Sequence, residues 1–198
     1  MDAVRVALLR EVLAGTEWVG ATRRFAGVLR GSVVAHGGGL LLVGTPEYEP
    51  WHLAAHLVDE AAWSGTPELA PTLVRHHARP TDPAHLAVGM GRIAAARRGE
   101  TLLVVAPDEP APLLERVCDA RRAGVTVLAL GAGGELAALA HDALAVPEGA
   151  ELDLDCVQHL VSAAAGENAG VPARGRRGFR DRLARLTDAL TAPPPAPW

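Results

Sequence analysis

Histidine supplies the first chemistry visible in this chain, because His52 and His56 stand four residues apart and share one face of any helix that contains them. Asp155 and His159 repeat that spacing near the end of the sequence. If the two faces met, the four side chains would offer three nitrogens and a carboxylate oxygen, a donor set suited to tetrahedral zinc. Zinc is the one cofactor these residues suggest. A plainer alternative stays open. His52, His56, Asp59 and Glu60 also suit the solvated or subunit-facing side of an amphipathic helix, with His159 packed beside Ser162. His36, beside Gly37, is expected to satisfy a carbonyl at a helix C-terminus. His76 and His77 are expected in a loop, and His85 on the helix that follows, all in solvated roles.

The elements that would position these residues follow from apolar periodicity. Residues 2–14 and 18–35 read as two helices, with Val4, Leu8, Leu9 and Val12, then Phe25, Val28 and Leu29, at helical spacing. Gly15 separates them. Gly37, Gly38 and Gly39 stop the second helix and feed residues 40–43, a short apolar run of the kind a parallel sheet buries on both faces. Similar runs return at 102–105 and 125–130, with shorter strand candidates at 72–74 and 143–146. Helices are expected at 51–63, 83–98, 110–122, 134–141 and 151–165, several opened by a first-turn proline. Such alternation implies right-handed crossovers and a doubly wound α/β domain, a five-stranded parallel sheet behind two N-terminal helices. Three parts result: a helical pair at 1–36, the α/β domain at 37–166, and an arginine-rich helix with a proline-rich tail at 167–198. Ligands of such sheets bind beyond the strand C-termini, which points to the loops after Val43 and Val105.

Composition narrows the function classes. The 198 residues, 49% of them apolar, suit one core. A formal charge of −4 argues against a general nucleic-acid binder, which needs a broad basic field. All 19 basic residues are arginine. The N-terminus lacks the basic and continuous apolar regions of a signal peptide, and no stretch reads as a membrane span, so a cytoplasmic protein is expected. Cys118 and Cys156 lie far apart without metal spacing, as befits buried thiols in a reducing compartment. Gly131-Ala-Gly-Gly134 opens like a dinucleotide fingerprint, yet Leu136 occupies the place of the third glycine.

The segment Val127-Leu-Ala-Leu-Gly-Ala-Gly-Gly-Glu-Leu, continuing to Asp142-Ala-Leu-Ala-Val-Pro147, closely resembles the fourth strand, glycine turn and short helix of sugar isomerase (SIS) domains. The strand Gly99-Glu-Thr-Leu-Leu-Val-Val105 and the run Ala120-Arg-Arg-Ala-Gly-Val-Thr-Val127 support the resemblance. Trp51-His-Leu-Ala-Ala-His-Leu57 is similar to the helix after the first strand in phosphoheptose isomerases. The resemblance covers roughly residues 2–166 and implies a flavodoxin-like SIS fold. It also implies self-association as a dimer or tetramer, since members of that subgroup assemble around a four-helix centre.

The same resemblance implies specific site residues. Phosphoheptose isomerases bind zinc and move protons with a His and a Glu one helical turn apart after the first strand, and a Gln and a His on the last domain helix. His52 matches the first His, while His56 stands where the Glu is expected. Alignment of the last helix puts Asp155 at the Gln and Ala163 at the final His. The usual general base and acid are therefore missing as matched residues, and no catalytic residue is assigned.

Family members hold a sugar phosphate through hydroxyls and backbone amides in the loops after the first and third strands. Here those loops read Gly44-Thr-Pro-Glu-Tyr-Glu-Pro50 and Ala106-Pro-Asp-Glu-Pro-Ala-Pro112. Prolines remove N–H donors, and Glu47, Glu49, Asp108 and Glu109 would set like charge beside a dianion. One such pair at about 4 Å costs roughly 1 to 4 kcal/mol. Gly44, Thr45, Glu47, Glu49, Asp108 and Glu109 are therefore read as a cleft for a neutral or cationic ligand, the acids alternatively serving as helix caps.

The function expected from the sequence is that of a SIS-like homo-oligomer, catalytically degenerate, with a regulatory, scaffold or small-ligand-binding role. The alternative is a metal-dependent isomerase of the phosphoheptose type using His52, His56, Asp155 and His159. Trp18, Trp51 and Trp63 are candidates for a subunit interface. Arg174, Arg176, Arg177, Arg180, Arg182 and Arg185, flanking Phe179, suit a helix that docks on an acidic protein partner.

Overall fold

The computed structural model describes residues 3–131, 133–147, 149–150 and 152–167. The arginine-rich helix and the proline-rich tail expected after residue 167 lie outside the described residues.

Five short apolar runs pair in parallel as β1 (Leu40–Val43), β2 (Pro71–Val74), β3 (Thr101–Ala106), β4 (Thr126–Gly131) and β5 (Asp142–Ala145). Their order is β2-β1-β3-β4-β5, the flavodoxin-like winding in which the order reverses between β1 and β3. Side chains alternate between two cores. Leu40, Leu42, Leu103, Val105, Leu128 and Leu130 face one core, while Leu41, Val43, Leu102, Val104, Val127 and Ala129 face the other. Both faces are buried, which is why these strands carry no polar alternation.

Helices α1 (Ala3–Val12), α2 (Glu17–His36), α3 (Trp51–Ser64) and α7 (Leu154–Gly166) cover the first face. Helices α4 (Gly91–Ala94), α5 (Ala111–Arg122) and α6 (Gly134–Leu139) cover the second. Helix α2 shares one core with the sheet through Phe25, Leu29 and Val33, and α1 packs Leu9 against it. Helix α2 stops at Gly37, whose N–H donates to the Val33 carbonyl from a left-handed conformation. His36 closes the same turn as expected, its Nδ1 3.0 Å from the Ser32 carbonyl. Helix α7 starts at Leu154 because Asp153 caps it, accepting a bond from the Cys156 N–H at 2.7 Å. Among the described residues no helix is long and apolar enough to cross a membrane.

The helix expected over 83–98 shrinks to Gly91–Ala94. Arg75, just past β2, accounts for the difference: its N–H donates to the Val88 carbonyl at 2.8 Å, and it forms an isolated parallel bridge with Gly89. Its guanidinium takes Asp82 and the Leu86 carbonyl as well. The backbone around 82–89 is thus tied to the strand end and makes only i,i+3 turns of its own, so His85 lies in a turn, not on a helix.

The end of β4 is locked against β3 by Gly131, at φ 147, where an added Cβ would stand 1.9 Å from the Ala106 carbonyl oxygen. Gly131→Ala is therefore expected to lose about 3 kcal/mol or more of stability. Gly27→Ala, in open space on the exposed side of α2, should gain about 0.5–1 kcal/mol. Urea midpoints of the two variants check this; equal midpoints would refute the close approach at Gly131.

Candidate functional site

Helix α3 leaves the loop after β1 and crosses α7, and Leu53, Leu57 and Ala61 join Val157, Leu160 and Val161 in one buried seam. That seam delivers His52 and His56 from α3, and His159 from α7, to a single cluster. Ring centroids are 4.4 Å apart for His52 with His56, 4.4 Å for His52 with His159 and 4.7 Å for His56 with His159. The Nε2 atoms of His52 and His56 are 2.9 Å apart, so one of them carries the shared hydrogen. His56 and His159 are buried, whereas His52 reaches solvent.

Burial, followed by the neighbouring His52 and His159 rings, lowers the His56 pKa to about 4. The ring is neutral at physiological pH. Its Nδ1 is buried and has no hydrogen-bond partner. One ligand nitrogen from each of the three rings lies within 4.8 Å of the others. Nitrogens on one tetrahedral zinc, at bonds of about 2.0–2.1 Å, stand about 3.3 Å apart, inside the range this cluster spans. Three imidazole nitrogens thus fit a borderline divalent ion such as zinc.

Asp155, the fourth residue expected at that centre, is not brought there. It is exposed, accepting a bond from the Tyr48 hydroxyl at 2.9 Å and one from Gln158 Nε2 at 3.2 Å. Gln158 Nε2 also donates to the Tyr48 oxygen at 2.7 Å. Burial, with a lesser push from Asp155, raises the Tyr48 pKa to about 12, so its hydroxyl remains a donor. Nothing in the spacing of α7 foretold Tyr48 and Gln158 as the neighbours of this cluster. The signal was there in Tyr48 itself, the one tyrosine in the chain, placed in a strand-end loop.

The strand-end loops make several bonds from within. Gly44 sits so close under the Tyr48 carbonyl that an added Cβ would meet it at 1.9 Å, and the Thr45 N–H donates to that same carbonyl at 2.9 Å. The Thr45 hydroxyl is buried without a partner. His76 Nε2 lies 3.0 Å from the Gly44 carbonyl. Glu49 pairs with Arg75 at 3.1 Å, and Arg75 also holds Asp82 at 2.9 Å while lying 4.7 Å above the Trp51 ring. Glu109 reaches across to α6 and accepts from the Glu135 and Leu136 N–H groups at 2.9 and 3.2 Å. Of the two readings the sequence left open for these acids, Glu109 takes the helix-capping one, while Glu49 is paired with Arg75. Glu47 and Asp108 are exposed. Arg75, the basic residue that organises this end, was missed in the sequence, although its place directly after β2 marks a strand-end position.

Beyond β3, β4 and β5 lies a hollow of about 750 Å³, lined by Pro107, Gly131, Val146, Pro147, Leu152 and Asp153 among others. A second, of about 550 Å³, runs between α3 and β2 past Trp51, Val58, Leu73 and His85. None of the clustered histidines lines either hollow.

No protein-family model matches the sequence, and no curated protein does. Solved structures do. A protein assigned as a phosphosugar isomerase, from Silicibacter pomeroyi DSS-3, matches at 16% identity and a TM-score of 0.50 over 96% of this chain and 54% of that one. A protein assigned as sugar binding, from Salmonella typhimurium LT2, matches at 15% identity and a TM-score of 0.54 over 96% of this chain and 56% of that one. The chain spans about half the length of both. The likeness is one of fold, and it agrees with the sugar-isomerase architecture that the sequence resemblance implied.

The His56 environment predicts a pH dependence for metal-free protein. The folded pKa of about 4 lies below the ordinary 6.5, so between those values the unfolded chain binds a proton that the folded chain does not. Stability contributed by the neutral ring is present above pH 6.5 and falls as pH drops toward 4, at most about 1.4 kcal/mol per pH unit. The difference in urea midpoint between the wild type and His56→Gln should shrink across that window. A constant difference would place the titration elsewhere.

Proposed function

We propose that this chain is a SIS-fold protein that has lost the phosphosugar grip and binds a zinc-like divalent ion on His52, His56 and His159, acting as a small-ligand-binding or regulatory module. The observation that carries this is the convergence of three imidazoles from two helices onto one point. When bound, such an ion supplies Lewis acidity. The chain's own residues hold the surroundings: Tyr48 keeps Asp155 and Gln158 engaged beside the cluster, and Arg75 with Glu49 keeps the first loop shut.

Closure of the loops sets this apart from a metal-dependent isomerase of the phosphoheptose type. Such an enzyme would need free donors beyond the strands, and here the Thr45 N–H after β1 and the first amides of α6 after β4 already have internal acceptors. A second reading, a homo-oligomeric scaffold, draws support from exposed apolar side chains on the first three helices, Val12, Val28, Val34 and Trp63 among them.

Metal analysis of purified protein is expected to find about one zinc per chain, lost in His52→Ala; less than a tenth of that in the wild type would overturn the metal assignment. Chelator-treated protein should show no thermal stabilisation by sedoheptulose phosphate, whereas a rise of several degrees would restore the phosphosugar isomerase. Light scattering addresses assembly: a mass of two or four times 20.6 kDa supports the oligomer, and a clean monomer excludes it.

A further inference from the structure

We infer that the three-histidine centre takes its fourth ligand from solution, and that this ligand is a small anion, for which acetate is the probe. The inference rests on the metal reading proposed above and names the class of molecule that centre would take.

The donor set is neutral. His52, His56 and His159 contribute imidazole nitrogens, and among the described residues no carboxylate oxygen joins them. The nearest acid expected to do so, Asp155, is engaged by Tyr48 and Gln158. Glu60, one turn beyond His56, is fully buried with its carboxylate against Gly166. A divalent ion on three neutral nitrogens keeps its whole double charge and lacks a fourth donor, and both conditions favour an anion. His52 is the exposed member, so the solvent side of the cluster lies at that ring. Two of the donors near the strand ends are already taken, the Thr45 N–H by the Tyr48 carbonyl and the first amides of α6 by Glu109. Anion binding would therefore depend on the metal and not on the loops.

Cobalt(II) serves as the probe because its visible absorption reports coordination. Protein loaded with cobalt should show the intense bands of a four-coordinate site, and titration with acetate should shift them to a saturable one-to-one end point. Calorimetry on metal-free protein should show acetate binding weakened on the order of tenfold or more. Asp155→Asn should leave both the bands and their acetate response in place. Absence of the cobalt bands in the wild type would defeat the metal reading itself. Bands that appear but ignore acetate would leave that reading standing and overturn this inference, as would bands that change in Asp155→Asn before acetate is added. Equal acetate binding with and without metal would return the anion to the loops and overturn it too.

Discussion

The crossing of α7 over α3 is the contact on which the site depends. Leu53, Leu57, Val157, Leu160 and Val161 are almost wholly buried along it, and each such side chain contributes about 1.5–3 kcal/mol of burial. One end of the crossing is pinned where Gly166 meets Glu60, so closely that an added Cβ would fall 1.7 Å from the carboxylate. Arg30 holds the neighbouring Ala165 carbonyl at 2.9 Å and the Thr66 hydroxyl at 2.6 Å. Imidazole contacts alone, lacking charge, could not draw two helices together with that force. Ring spacing is therefore imposed on the histidines by the apolar seam. Desolvation in the same seam keeps His56 neutral, which leaves its nitrogen available as a donor at ordinary pH.

At the strand ends, competition decides what repulsion was expected to decide. Glu49 and Glu109 carry negative charge, but Arg75 and the first amides of α6 already answer it. Charge-assisted bonds of this kind are roughly twice as strong as neutral ones. An incoming dianion would have to displace Glu49 from a guanidinium that also holds Asp82 and lies over Trp51, and strip Glu109 from a helix start. Each displacement leaves a carboxylate in a partly buried place without its partner, which costs more than solvent-screened repulsion between surface charges.

The strands were legible because their runs are short, apolar and bounded by glycine or proline, and a sheet buried on both faces asks for nothing else. The false helix over 83–98 shows the limit of such local signals: Arg75 ties that segment to the end of β2 through contacts that no window of sequence contains. His52 and His56 were legible as a pair because i,i+4 spacing fixes a shared face whatever the tertiary fold. Asp155 and His159 share that spacing too, yet only His159 is directed into the seam. Which end of such a pair turns inward depends on where the partner helix lies and on the Tyr48 hydroxyl, and both are tertiary facts.

The two halves of the site differ from the implied family pattern in opposite electrostatic senses. In the loops, donors for an external anion give way to internal carboxylates. In the helix cluster, the carboxylate that the resemblance implies at position 56 gives way to a neutral ring. A single unit charge at about 4 Å is worth about 4 kcal/mol near a protein surface, so its removal beside a cation is not a minor adjustment. Taken together, the changes move the place where negative charge is welcome from the strand ends toward the α3–α7 crossing. On the reading proposed above, changes of compensating sign in both halves are what a site redirected to another ligand would carry.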